Sequence, residues 1–407
     1  MNILHADLYG AEVLLSESGE RTYMGRRLRV LEEQTFPLSE ERIEELVRQY
    51  GTPLLILLRE RILENYRAFQ RFLPGVEIFY AVKANPHPSI VGLLALCGSS
   101  FDVASQQEMA LVSSFGVSPE RMIFANTIKR REGLLYARRV GVSLLTYDNE
   151  EELEKIERFY PDAKLVLRLK TSSNGSRIDL SYKFGAEPGE ALSLLLKAQK
   201  KGLNPVGLSF HVGSPCHNPE TYVSALHTVE EVLLAAQRNG LYLTLIDIGG
   251  GFPLRIYAEE GGTASLEAVS EALFPLLESF LQRGFRVIAE PGRSIVGNAG
   301  VLITRVIGKA VRSGKTWYYL DDGIYGAFSA IPFDKARFSF YTLRGEERTV
   351  RCILAGPTCD SLDVVAEDVL LPPLEVDDLV VVPDIGAYSW ASATNFNGFD
   401  KPQVVMV

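Results

Sequence analysis

Nine short runs rich in β-branched and aromatic residues recur between residues 53 and 290, at 53–59, 77–84, 100–105, 122–126, 144–148, 164–170, 204–212, 244–250 and 286–290. Most are separated by amphipathic stretches of helix length. Alternation of this kind predicts parallel strands with crossover helices on the sheet faces. An open doubly wound sheet and a closed eightfold β/α barrel both satisfy the pattern. A barrel has eight places, so one of the nine runs belongs elsewhere, and the first is the expected outlier. Helix entries agree with the alternation: Ser105-Gln106-Gln107-Glu108 reads as a capping box, and Asp148-Asn149-Glu150-Glu151 opens another helix.

After Gly292 the helical period fades. Runs at 301–307, 316–320, 349–354 and 378–382 are short and punctuated by Gly, Pro and Asp, the pattern of an all-β domain. At the other end, residues 27–34 read as a strand and Ser39 as the N-cap of a short helix. The expected organisation is therefore an N-terminal extension over 1–50 that joins the β domain, a β/α barrel over 51–295 and a C-terminal β domain over 296–407. A chain of 407 residues, 46% of them hydrophobic, can bury cores of that size. The net charge of −9 argues against a nucleic-acid partner. No apolar stretch reaches membrane-spanning length, and the N-terminus lacks the pattern of a signal peptide. Cys97, Cys216, Cys352 and Cys359 show no paired metal spacing. A cytoplasmic protein with reduced thiols, without a membrane or metal, is expected.

Chemistry-bearing residues collect at the ends of the apolar runs. Phe79-Tyr80-Ala81-Val82-Lys83-Ala84-Asn85 places a lysine in apolar surroundings. Such a lysine is either a snorkelling surface charge or an amine kept neutral enough to attack a carbonyl. Phe210-His211-Val212-Gly213-Ser214 offers a flat imidazole and a hydroxyl. Asp247-Ile248-Gly249-Gly250-Gly251 lets backbone N–H groups approach a ligand closely, as a phosphate requires. Glu290-Pro291-Gly292-Arg293 adds a carboxylate and a guanidinium. Asp102, Glu108 and Arg168 supply further charges where barrel active sites lie. In the β domain, Gly356-Pro357-Thr358-Cys359-Asp360-Ser361-Leu362-Asp363 sets a thiol beside carboxylates, and Gly386-Ala387-Tyr388-Ser389 begins a glycine- and aromatic-rich end segment. Each feature alone has a structural explanation.

As an ordered set, FYAVKAN, FDVAS, HVGS, DIGGGFP, EPGR, GPTCDSLD and GAYS…FNGF span residues 79 to 399. The set resembles the fold-type III, pyridoxal phosphate-dependent decarboxylases of basic amino acids, with the ornithine and lysine/ornithine decarboxylases the nearest in pattern. The resemblance implies an eightfold barrel with a C-terminal β domain, assembled as a head-to-tail homodimer with shared active sites. It implies pyridoxal 5'-phosphate bonded to Lys83, His211 against the cofactor ring and Glu290 at the ring nitrogen. Ser214, Gly250, Gly251, Pro291, Gly292, Arg293 and Tyr388 fall to the phosphate and its surroundings, with Asp102 and Arg168 beside them. Cys359 and Asp360 match a pair supplied by the other subunit, as proton donor and substrate carboxylate. Phe333 and Asp334 match the substrate-amine position, where the family often has tyrosine in place of Phe333.

The implied reaction is loss of the α-carboxyl from L-ornithine, and from L-lysine as a second substrate, to give putrescine and cadaverine. The alternative is meso-diaminopimelate decarboxylase, which shares several of these motifs. That family typically has glutamate after the cysteine and basic residues for a distal carboxylate. Here Asp360 follows Cys359, and residues 325–334 contain no arginine, although Lys335 and Arg337 come next. Alanine racemases set arginine at the ring nitrogen, against Glu290 here. Silent regulatory relatives tend to lose cofactor residues, and Lys83 and Cys359 both stand.

Overall fold

The computed structural model describes residues 38–254, 265–343 and 350–407, together with the backbone of the strands Glu20–Tyr23, Arg26–Arg29 and Ala258–Glu259. Those three strands form a small antiparallel sheet. The expected strand at 27–34 begins within it, and its last five residues lie outside the described ones. The chain divides into two compact units. One comprises Asn65–Leu254 and Ala264–Ile295, the other Met1–Glu64, Arg255–Thr263 and Val296–Val407.

The first unit is a closed barrel of eight parallel strands. We number them β1 (Glu77–Ala81), β2 (Ser100–Val103), β3 (Met122–Phe124), β4 (Leu144–Tyr147), β5 (Lys164–Leu169), β6 (Asn204–Phe210), β7 (Leu245–Asp247) and β8 (Arg286–Ala289). Of the two topologies compatible with the alternation, only the barrel joins β8 back to β1, through Ile288↔Glu77 and Ala289↔Ile78. Its strands are nearly continuous apolar runs because both faces are covered. Phe79, Ile123, Leu144, Val166, Leu245 and Ile288, from six strands, form one buried cluster. Burying each such side chain contributes about 1.5–3 kcal/mol.

Capping chemistry sets the helix starts. Ser105 Oγ accepts the Glu108 N–H at 3.2 Å, and the Glu108 carboxylate accepts the Ala104 N–H at 2.6 Å. The box therefore closes one residue before the cap. Asn149 caps the helix Glu150–Phe159 in the same way, through the Glu152 N–H.

The second unit is built on a mixed sheet. The long strand Gly300–Arg312 pairs antiparallel with Leu379–Val382 and Leu54–Leu57 over its first part, and with Lys315–Leu320 over its second. Val350–Ala355 runs parallel to Lys315–Leu320, and Val364–Leu371 lies antiparallel beyond it. Leu54–Leu57 also pairs with Gln403–Met406. The first run thus falls outside the barrel, as expected, and residues 51–64 are part of this unit although the expected boundary lay at residue 51. The reason is pairing: all four residues of Leu54–Leu57 are buried, between two strands that come from the C-terminal part of the chain. The amphipathic helix Glu40–Tyr50, capped by Ser39, packs Ile43, Leu46 and Val47 against Leu54, Ile56, Val301 and Ile303. No described helix is long and apolar enough to cross a membrane.

Candidate active site

Lys83 lies on a turn of 3-10 helix, Val82–Ala84, directly after β1. The run expected as a strand to residue 84 stops at Ala81. There the chain bends, and the Tyr80 hydroxyl donates to the Asn85 carbonyl at 2.9 Å while the Ala81 N–H donates to the Pro291 carbonyl at 3.1 Å. The Lys83 ammonium meets the carboxylate of Asp102, a buried residue of β2. Glu108 stands behind Asp102, and burial, opposed by the Ala104 N–H, pushes its carboxyl up to about 7.

Across the barrel mouth, β5 carries Arg168 and β6 leads into His211. The Arg168 guanidinium lies over the Phe184 ring at 5.3 Å. His211 Nδ1 accepts the Gly213 N–H at 3.1 Å, so the neutral ring carries its proton on Nε2. Burial, then the charges of Arg168 and Lys83, hold His211 well below its ordinary pKa. It is a neutral, flat ring fixed at one edge.

Asp247 ends β7 and Glu290 follows β8. Both are buried. Burial is the first cause that raises each carboxyl; Asp247 reaches about 7 and Glu290 lies well above its ordinary value. Glu290 Oε1 is buried and has no hydrogen-bond partner among the described residues. It lines a small cavity with Arg168, His211 and Asp247, where the buried hydroxyls of Thr146 and Ser209 are likewise unpartnered. A larger groove of about 280 Å³, lined by Leu233, Tyr242 and Arg283, includes Thr244 and Phe285 at the opposite strand ends and none of these groups.

The glycines make a cradle beside this cavity. Gly251 has φ +90°, and a Cβ there would lie 2.1 Å from the Gly213 carbonyl oxygen. A Cβ on Gly292 would fall 2.7 Å from that of Ala84, next to Lys83. Ser214 begins the short strand Ser214–Cys216, paired with Ser176–Ile178. Arg293 opens the turn Arg293–Val296 after Gly292. The barrel thus gathers an amine, a neutral imidazole, a carboxyl with one unpartnered oxygen and a close-approach backbone at the C-terminal strand ends, where barrel enzymes place their chemistry.

A family model described as "Pyridoxal-dependent decarboxylase, pyridoxal binding domain" matches residues 59–297. The chain belongs to the pyridoxal-dependent decarboxylases. The lysine/ornithine decarboxylase of Selenomonas ruminantium is 38% identical over 366 residues, 90% of this chain and 92% of that protein. The lysine/ornithine decarboxylase of Vibrio vulnificus, solved with cadaverine, superposes with a TM-score of 0.84 at 40% identity, over 91% of this chain and 99% of that one. An arginine decarboxylase of Paramecium bursaria Chlorella virus superposes with a TM-score of 0.84 at 32% identity, over 90% and 99%.

Members of the family use pyridoxal phosphate, and the residues present fit it. An unpartnered buried carboxyl oxygen suits a protonated ring nitrogen. A neutral ring suits a face of the cofactor, and the glycine backbone suits a phosphate.

The remaining expected residues lie in the other unit. Cys359 is exposed, and its N–H donates to Asn397 Oδ1 at 3.0 Å. Asp360 accepts from the Tyr325 hydroxyl and, at 2.9 Å, from the Leu362 N–H, which hold its carboxyl below its ordinary range. On the short helix Ala330–Asp334, Phe333 is 72% exposed while Asp334 is buried. Tyr388 adopts φ +54°, rare for a residue with a side chain. Sequence reasoning passed over Asp247, quoted only as the head of the glycine run, and Tyr325. The signal for Asp247 was an acidic residue closing an apolar strand. Tyr325 had no local signal.

Proposed function

We propose that the protein removes the α-carboxyl of L-ornithine, and of L-lysine as a second substrate, to give putrescine and cadaverine. The observation that carries this reading is the pairing of Lys83 with buried Asp102 at the same barrel mouth as the unpartnered Glu290 oxygen. Bound pyridoxal phosphate supplies an electron sink for the pair left at Cα when CO₂ departs. Lys83 would hold the cofactor through its amine, and Asp102 would keep that amine in place. Glu290 keeps the ring nitrogen protonated, which the sink requires. His211, kept neutral, covers the ring without adding charge. Ser214, Gly250, Gly251, Pro291, Gly292, Arg293 and Tyr388 bind the phosphate or shape its cradle, and Arg168 balances the nearby carboxylates.

Cys359 donates a proton to Cα in place of the departed carboxyl. Asp360, with Asp334, binds the distal ammonium of the substrate, and Phe333 contributes an apolar edge. A carboxylate left without that ammonium is costly, so neutral side chains are rejected by about 10⁴-fold. One methylene between ornithine and lysine is worth only about 1–3 kcal/mol, which is why both are accepted. The protein works as a head-to-tail homodimer, Cys359 and Asp360 serving the partner's barrel, and it works in the cytoplasm, in keeping with four free thiols.

The test is product analysis. The holoprotein is given equimolar L-ornithine, L-lysine, L-arginine and meso-diaminopimelate, and the amines are identified by mass spectrometry. Putrescine in excess over cadaverine is expected. Lysine formed from diaminopimelate would reassign the substrate, and protein that shows no lysine-bound cofactor would overturn the catalytic reading altogether.

A further inference from the structure

Two loops leave the same end of the second unit's sheet, because Lys315–Leu320 and Val350–Ala355 run parallel and adjacent, with Tyr319 opposite Ala355. One loop follows Lys315–Leu320 and carries Tyr325. The other joins Val350–Ala355 to Val364–Leu371 and carries Cys359 and Asp360. Asp363 ends the second loop and is 3% exposed. Its Oδ1 accepts the Ile324 N–H of the first loop at 2.9 Å. Its Oδ2 accepts both the N–H and the hydroxyl of Thr358 in the second, at 3.1 and 2.7 Å. Its own N–H donates to the Asp360 carbonyl at 3.0 Å, and its carbonyl accepts the Gly356 N–H at 2.8 Å. A Cβ on Gly323 or on Gly356 would stand 2.2 Å from Oδ1, so both loops give up side chains to admit this carboxylate.

A buried carboxylate beside the buried Asp322 is retained only with good donors. Here three donors converge on two oxygens. Asparagine offers a single acceptor oxygen, so its NH₂ would face donors on one side or the other. The Tyr325–Asp360 hydrogen bond also joins the two loops, one residue from each.

We propose that Asp363 is a positioning residue: it locks the Tyr325 loop to the Cys359–Asp360 loop and so sets where the proton donor and the ammonium-binding carboxylate stand. The inference rests on the roles proposed above for Cys359 and Asp360.

The experiment compares Asp363→Asn, Thr358→Val, Cys359→Ala and Asp360→Ala as holoenzymes. Amide hydrogen exchange at Ile324 and Thr358, the fraction of turnover ending in aldehyde, the KM for ornithine and cofactor affinity are measured. Aldehyde reports misplaced protonation, because a proton delivered to the cofactor carbon in place of Cα gives, after hydrolysis, an aldehyde and the cofactor's amine form. Asp363→Asn should speed exchange at both amides about tenfold, raise the aldehyde fraction and raise ornithine KM about tenfold, with cofactor affinity within about twofold. Thr358→Val, which removes one bond of the three, should move every readout the same way by less, and it decides the matter should Asp363→Asn not fold. Wild-type products and KM in Asp363→Asn and Thr358→Val, while Cys359→Ala and Asp360→Ala shift them, would overturn the inference alone. Wild-type behaviour in all four would overturn both the inference and the site roles on which it rests.

Discussion

Asp247 and Glu290, at the C-terminal ends of the adjacent strands β7 and β8, line the same small buried cavity, and burial raises both carboxyls. The folded barrel therefore binds more protons than the unfolded chain between the ordinary carboxylate range and about 7. Stability from this pair is complete below that range and is lost as pH rises through the folded pKa. The cofactor-free protein should lose denaturant stability from pH 5 to pH 8, and Asp247→Asn with Glu290→Gln should flatten that slope. Urea midpoints across the range check it, and a wild-type slope in the double variant would refute the assignment.

Removing Lys83 leaves the Asp102 carboxylate buried without its ammonium. Lys83→Ala should abolish the visible absorbance of lysine-bound cofactor and cost about 1–3 kcal/mol of stability. Adding Asp102→Asn should recover part of that loss without restoring absorbance. A double-variant unfolding cycle separates the two effects, and an absence of coupling would show that the pair contributes nothing to the fold.

Cys359→Ala should slow amine formation and divert turnover to aldehyde, while cofactor affinity stays unchanged. Asp360→Ala should raise the KM for ornithine and lysine at least about tenfold and leave cofactor affinity in place. Product ratios and steady-state kinetics on both substrates check each effect, and unaltered products in Cys359→Ala would remove it from the chemistry.

Tyr325 stacks on Phe396 at 4.4 Å and donates its hydroxyl to Asp360. Loss of that donor lets the Asp360 pKa rise toward its ordinary value. Tyr325→Phe should move the acid limb of kcat/KM for ornithine to higher pH and weaken substrate binding about two- to tenfold. A pH–rate profile reads both.

Gly251→Ala would drive a methyl group into the Gly213 carbonyl at a backbone angle that side chains avoid. Cofactor affinity should fall at least about a hundredfold, measured by titrating the cofactor-free protein. Affinity near wild type would mean the phosphate is held elsewhere.

The order of motifs from Lys83 to Tyr388 suffices to recognise the family, and the strand–helix alternation narrows the fold to two topologies. Those are local facts: a strand's period and a cap such as Ser105 or Asn149 depend on neighbours within a few residues. What tertiary structure alone decides is which distant groups share a dielectric and a proton. Leu54–Leu57 is the run expected to fall outside the barrel, but that it sits in the other sheet is decided by partners at Gly300–Ile303 and Gln403–Met406. Asp247 and Glu290 are separated by a helix in the chain, and only the parallel pairing of β7 with β8 brings both carboxyls to one buried cavity. Tyr325, Asp360 and Asp363 converge only because two parallel strands end side by side. Burial and partnership are properties of the packed chain, and they set the pKa values and bridges on which the chemistry depends.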